Sequence, residues 1–330
     1  SDMGPGEMEL LIQAAKHSGQ PLSVLLIQYN EFPDRWKDTL NHISFANRSG
    51  IKTTGQVGSR PIGVLMGFNT SVNPFSSHEA WQKIKHLSNK ERNNIIKEDI
   101  NIRNSLINDV PDNGHTKWVQ NTFSLTYLLK EPLNYEPTKE MSINSIASKL
   151  NKKPWEIILD HFTSSDNDEF LMHTFENYTH NSLDVIAEML ESKYTICGVG
   201  DAGAHVATIC DASYPTFMVP FWSRDRKRGK LLNLEYLISK QTLKTAQTYG
   251  LLDRGALIEG MRADINIIDY DNIGLTKPCL TYDLPAGGKR LIQKSRGYDH
   301  TFVKGIEVSQ NGEFTGQLPG KLIRGNQSIN

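Results

Sequence analysis

The chain has 330 residues, 38% hydrophobic and 22% charged, which suits a soluble globular protein of one large domain or two ordinary ones. A formal net charge of -1 leaves no field to draw nucleic acid or an anionic membrane, and no apolar run approaches the ~20 residues that span a bilayer. Cys197, Cys210 and Cys279 show no C-x-x-C spacing, and the opening SDMGPGEMEL lacks both a basic n-region and an apolar h-region, so a cytoplasmic location is expected.

In chain order, Glu7 to His17 reads as a helix closed by Gly19, and Leu22 to Gln28 as a nearly continuous apolar strand. Trp36 to Asn47 has helical spacing, Gly50 ends it, and Ile51 to Val57 is a second strand. Mostly apolar strands separated by helices are the pattern of buried parallel strands in an α/β fold. Gly58 to Pro137 is polar, Asn-rich and broken by prolines. It reads as an excursion above the rim of the sheet, with short helices at Glu79 to Leu87 and Lys90 to Asn104. Helices are expected again over Ser142 to Leu150, Pro154 to Phe162 and Leu183 to Leu190. Strands are expected at Phe170 to Phe175 and Tyr194 to Val199, and a long helix at Leu234 to Tyr249. After Arg262 the chain reads as strand and turn: ADINIIDY, TFVKGIEV and a final LPGKLIRG.

Four α/β units followed by a strand-rich tail predict α/β architecture, part of a (β/α)8 TIM-type barrel over 1-255 and part of a small β-sandwich over 256-330, with the excursion at about 58-137. Half a barrel has open edges, so its first half is expected outside this sequence or on another chain.

Two segments stand out. GVGDAGAH, Gly198 to His205, sets Asp201 in a glycine-rich turn directly after a short apolar strand. LLDRGALIEGMRADINIID, Leu251 to Asp269, carries Gly255, Ile258, Gly260, Ala263, Asp264 and Ile265 in the spacing G-x-x-I-x-G-x-x-A-D-hydrophobic. With GQVGSRPIGVLMGF at Gly55, NYEPTKEMSI at Asn134, GVGDAGAHVATICDASYPT at Gly198, FWSRDRKRG at Phe221, DLPAGGKRLIQ at Asp283 and TGQLPGKLIRG at Thr315, the chain resembles the C-terminal part of the N-acyl-D-amino-acid deacylase (D-aminoacylase-like) branch of the amidohydrolase superfamily.

That resemblance implies hydrolysis of an amide C–N bond with a divalent metal, usually zinc, and a last barrel strand whose Asp, here Asp201, serves a metal-bound water and the metal itself. It also implies an H-x-D or H-x-H pair on the first strand, which this chain lacks, so those ligands are expected upstream. Strands five and six would end in Gln28-Tyr29-Asn30 and Gln56-Val57, without histidine, which speaks for one metal or an altered ligand set. The family's S-D-G-G reads Gly200-Asp201-Ala202-Gly203 here.

Read from the residues, Asp201 lies at the C-terminal end of a predicted strand, where barrel active sites sit, and a carboxylate there can accept a proton from water and return it to a leaving amine. His205 is either a donor to Asp201 or substrate, or a locally bonded helix-start residue. Asp211 suits an Asx turn, with substrate contact as the second reading. Arg60 follows the second strand and could fork onto a substrate carboxylate, or serve a barrel-end ion pair. Gln56 could orient substrate or water, or be a polar group satisfied inside the mouth. Most of the run Arg224 to Arg228 is expected to be a solvated face, with a carboxylate-binding cluster as the alternative, and His161, His173 and His180 are not expected to be ligands. DLPAGGKRLIQ lacks the phosphate-loop spacing. The expected partner is a small-molecule amide, with neither nucleic acid nor membrane. A cyclic amide or another C–N bond, and a non-catalytic subunit, stay open, as do a homo-oligomer and a completing chain.

Overall fold

The computed structural model describes residues 6–325. Local signals account for its first elements. Helix α1 (Glu7–Ser18) has Glu7 and Glu9 in its first turn and Lys16 and His17 in its last, complementing the helix dipole, and ends where Gly19 takes φ 67° and returns its N–H to Ala15 O. Then come β1 (Leu22–Leu25), α2 (Arg35–Arg48), β2 (Thr53–Val57) and β3 (Ile62–Met66). Four helices follow: α3 (Glu79–Ile84), α4 (Asn89–Glu98), α5 (Ile100–Asn108) and α6 (Gly114–Gln120). Next are β4 (Thr126–Leu129), α7 (Ile143–Leu150), α8 (Pro154–Phe162), β5 (Phe170–Glu176), α9 (Asp184–Glu191), β6 (Thr195–Cys197) and α10 (Tyr214–Pro220). The last helical stretch is α11 (Leu234–Ser239), a π turn (Lys240–Lys244) and α12 (Thr245–Thr248). Strands β7 (Ile265–Ile268), β8 (Gly274–Leu275), β9 (Cys279–Leu284), β10 (Gly288–Ile292), β11 (Ser295–Arg296), β12 (Tyr298–Val303), β13 (Ile306–Gln310) and β14 (Glu313–Phe314) complete the chain.

The architecture is mixed α/β. Strands β1, β2 and β6 form a three-stranded parallel sheet with β2 in the middle. Thr53, Gly55 and Val57 are buried on its helix-covered side. A Cβ on Gly55 would lie 3.1 Å from Ile43 Cδ1 and 3.3 Å from Thr195 Cγ2, so the glycine lets α2 pack closely. On the other face Ser23 and Leu25 are exposed, and Thr54 and Gln56 are half-buried.

Strand Phe170–Glu176 is present, but it does not join that sheet, which corrects the expected four-unit repeat to three parallel strands. It is the central strand of a separate antiparallel sheet, between β3 and β4. Both partners fall inside the expected polar excursion, where Pro61, Gly63 and Gly67 interrupt the apolar pattern and hide the strand. The structure shows why Gly63 is there: a Cβ would lie 2.0 Å from His173 O across the ladder. The excursion is a packed unit, with Met66, Phe75, Trp81, Ile96, Leu106, Trp155, Phe162 and Leu171 in one core. Its Lys90 to Asn104 helix is two helices, because Asp99 ends α4 and its Oδ1 accepts Asn101 N and Ile102 N at 2.9 and 3.2 Å to start α5. A second core gathers Leu26, Trp36, Val57, Tyr127, Phe170, Trp222 and Leu291.

Asn177, at φ 62°, ties the two sheets: its N–H donates to Gln28 O at 2.9 Å and its Oδ1 accepts Gln28 N at 2.7 Å. The C-terminal strands form a four-stranded antiparallel sheet in the order β14-β13-β12-β7 and a β9-β10 hairpin. The expected strand in LPGKLIRG does not form: residues 318–325 are neither strand nor helix, and Leu318 and Leu322 are 85% and 78% exposed. None of the three cysteines forms a disulfide. Among the described residues no helix is long and apolar enough to cross a membrane.

Buried histidines make this fold acid-sensitive. His78 lies against Phe75 and Trp155 with neither ring nitrogen partnered, and burial holds its pKa down at about 4. His173 accepts or donates only at Nδ1, 3.1 Å from Thr126 Oγ1, and burial likewise lowers it to about 4. The unfolded chain takes up these protons first, near pH 6.5, so stability is full above that value and falls as pH drops toward 4, by about 3 kcal/mol for each ring. Thermal melting from pH 7 to 4.5 should show this loss, and His78→Phe should melt no lower than the parent at pH 7 while losing less on acidification. An unchanged acid loss in the variant would show that His78 does not carry it.

Candidate active site

The site is built where β6 leaves the parallel sheet. Beyond Cys197 the chain turns through Val199, Gly203 and His205, all with positive φ (66°, 90° and 48°), and this backbone presents Asp201 outward. The Asp201 side chain is 66% exposed, and His205 Nε2 stands 3.7 Å from its Oδ2. Behind it, Asp211 Oδ2 accepts the Asp201 N–H at 3.2 Å. Burial pushes the Asp211 carboxyl above the usual carboxylate range, opposed by the Arg60 guanidinium and the Asp201 N–H. An open carboxylate beside an imidazole, with its backbone held by a second carboxylate, can take up and release a proton at Asp201 Oδ.

Arg60 is placed differently from an open rim residue. It is 5% exposed, and its guanidinium lies 4.5 Å from the Tyr135 ring centroid, 4.8 Å from Tyr214 and 5.9 Å from Phe217. Nη2 donates to Cys210 O and Nη1 to Gln293 Oε1, each at 3.2 Å. The fork is therefore spent on the loop that carries Asp211. Burial raises the Tyr135 and Tyr214 hydroxyls, so both rings face the cation as neutral phenols. Gln56 points to the exposed face of β2, where its Nε2 donates to Ser23 Oγ at 2.8 Å and Tyr249 OH at 3.1 Å. Its Oε1 crowds Gly198, where a Cβ would lie 2.3 Å from it. The structure thus brings Asp201 and His205 into direct proximity, sets Gln56 beside the start of their turn, and connects Arg60 to them only through Cys210 and Asp211.

In the charged run beyond Phe221, Asp225, Lys227 and Arg228 are exposed, as a solvated face requires, and Arg226 is the exception. Arg226 is buried and donates to Glu136 and Asp184, while Arg228 reaches Glu136 O and Asn181 O. Sequence reasoning also missed Tyr135, Tyr214 and Gln293. Each lies in a segment that carried the resemblance, but nothing local announces that they meet around Arg60.

The donors present do not make a complete metal centre. Among the described residues no group of three His, Cys, Asp or Glu side chains could hold a metal ion. Near Asp201, Cys210 is buried and its thiol is pushed up to about 12, away from a ligating thiolate.

The sequence profile of the amidohydrolase family matches residues 133–308, which include β6, Asp201 and Gln293. N-acyl-D-glutamate deacylase of Alcaligenes xylosoxydans xylosoxydans is 31% identical over 105 residues, 31% of this chain and 19% of that protein. N-acyl-D-aspartate deacylase of the same organism is 36% identical over 104 residues, again 31% of this chain and 19% of that protein. Two solved structures overlay at a TM-score of 0.49 and 15% identity. D-aminoacylase covers 96% of this chain and 53% of its own, and N-acyl-D-glutamate deacylase of Bordetella bronchiseptica, solved with zinc and a phosphonate inhibitor, covers 99% and 54%. The chain spans about half the length of these solved proteins, and its match to the curated ones about a fifth of theirs. With more than half of its residues matched by the family profile, the chain belongs to the amidohydrolase family.

Proposed function

We propose that this chain supplies the proton-transfer side of an active site that hydrolyses the amide C–N bond of an N-acyl-D-amino acid. The observation that carries this reading is the exposed Asp201 carboxylate at the end of a parallel strand, its N–H fixed by Asp211, inside a segment shared with amidohydrolases. In this reading Asp201 takes a proton as water oxygen bonds to the acyl carbon. It returns that proton to the nitrogen as the C–N bond breaks, releasing a carboxylic acid and the D-amino acid. His205 lies close enough to steady the carboxylate, and Gln56 shapes the floor beside Gly198. Arg60, committed to Cys210 and Gln293, holds the loop rather than the substrate carboxylate.

The parallel sheet is read as part of a (β/α)8 barrel over 1-255, its face with Ser23, Leu25 and Gln56 turned to the interior, and 256-330 as part of a small β-sandwich. A divalent metal, zinc first, would be held by Asp201 together with ligands beyond the described residues, and would make the attacking water more acidic. A cyclic amide or another C–N bond is the second substrate reading, favoured by the enclosure of Arg60, which leaves that fork unavailable to a free substrate carboxylate.

Two outcomes test this reading. With the completing half of the barrel and zinc supplied, hydrolysis should be seen with N-acetyl-D-glutamate and N-acetyl-D-aspartate, not with their L forms, and Asp201→Asn should lower it by at least about 100-fold with an unchanged circular dichroism spectrum. Equal turnover of both enantiomers, or full activity in the variant, would remove the assignment. Elemental analysis of the dialysed chain should find well under one zinc per molecule. A full equivalent that disappears in Asp201→Ala would mean that these residues hold metal unaided.

A further inference from the structure

The segment DLPAGGKRLIQ, unassigned above, ends at Gln293 just past β10, and both ends of that amide are engaged. Its Oε1 accepts from Arg60 Nη1 at 3.2 Å and lies 2.7 Å from Ser213 Oγ. Its Nε2 donates to Tyr135 OH at 2.7 Å and Thr276 O at 3.0 Å. Arg60 Nη2 and Ser213 Oγ in turn converge on Cys210 O, at 3.2 and 2.6 Å. The next residue, Asp211, accepts the Asp201 N–H. The same segment reaches the far side of the turn as well, where Leu291 N donates to Val206 O at 2.6 Å. Ser71 N and Leu65 N hold Ala207 O and Thr208 O at 3.0 and 2.7 Å. Among these anchors His205, and just before them Val199, sit at positive φ, a conformation that costs free energy in a residue with a Cβ and persists only where surroundings enforce it.

We propose that Gln293 is the positioning residue of the Asp201 turn: its amide seats Arg60 and Ser213 against Cys210, and with the backbone of Leu291 it makes the β9-β10 hairpin the clamp that aims Asp201. The inference rests on the reading of Asp201 as the proton-transfer group. Gln293 touches no substrate in it and acts through Arg60, Ser213 and Asp211. The position calls for an amide, because an acceptor must face Arg60 and Ser213 while a donor faces Thr276 O. A carboxylate would set an acceptor against the Thr276 carbonyl oxygen, and a leucine would leave Arg60 Nη1, Tyr135 OH and Thr276 O without this partner.

The test is amide hydrogen exchange by mass spectrometry on the full chain, comparing the peptide 199–211 with one across α7 and α8. Gln293→Leu should speed exchange of 199–211 by about tenfold or more, with α7 and α8 within about twofold of the parent. Ser213→Ala, a milder change that keeps the packing, should loosen the same peptide by about threefold and guards against a Leu variant that does not fold. Exchange unchanged in 199–211, or raised equally in α7 and α8, would overturn the proposal and leave Gln293 an ordinary structural residue. In a chain that hydrolyses its substrate, Gln293→Leu should lower kcat with KM near the parent value; a rise in KM alone would count against positioning. Exchange is read without substrate, so absent hydrolysis would defeat the functional reading without touching this result.

Discussion

Arg60 brings a positive charge into a box of aromatic rings, where a guanidinium without acceptors would be costly. The cost is met by Cys210 O and Gln293 Oε1, and those two acceptors come from opposite ends of the chain's second half. That requirement ties three regions together. The end of β2 supplies the cation, the loop beyond β6 supplies a carbonyl, and the C-terminal hairpin supplies the amide. The turn with Asp201 lies between them, so its exposure to solvent does not leave its backbone free.

The same logic recurs elsewhere around the parallel sheet. Asn177 closes a two-way backbone and side-chain bridge onto Gln28, which fastens the antiparallel sheet to the first parallel strand. Lys240 is fully buried, and its Nζ reaches Ser192 O, Thr195 O and Thr195 Oγ1 at 2.8, 2.5 and 2.9 Å, which pins the start of β6 to the π turn. Burial pulls this lysine down to about 7. Cys197, at the other end of β6, is pushed up to about 11 by burial. The strand that delivers Asp201 is therefore held by polar groups removed from water, where each bond is stronger and each loss dearer than at the surface.

These arrangements explain why the helices between β3 and β4 form a unit rather than a loop. Their apolar residues have no sheet of the parallel kind to cover, so they pack on β5 from its far side with Trp155 and Phe162 of α8. Arg92 completes that unit over the Phe68 and Trp81 rings, at 4.9 and 5.0 Å, and gives Nη2 to Asn69 and Asn89.

Local chemistry was legible without coordinates. Gly19 closing α1, Pro154 opening α8, the apolar strand before Asp201 and the family segments could all be read from residues near one another in the chain. Periodicity and caps act over a few residues, so the sequence alone determined most helices, the parallel strands and the carboxylate at the end of β6. Strand β3 was hidden because Gly63 answers to a partner more than a hundred residues away, His173 O, and β4 because it is four residues long and pairs only with distant β5. The enclosure of Arg60, the seat of Gln293 and the direction of β5 depended on which distant groups could satisfy a buried charge or an unpaired backbone edge. Only the tertiary structure decided those, because hydrogen-bond partners in a folded chain are chosen by proximity in space and not by spacing in sequence.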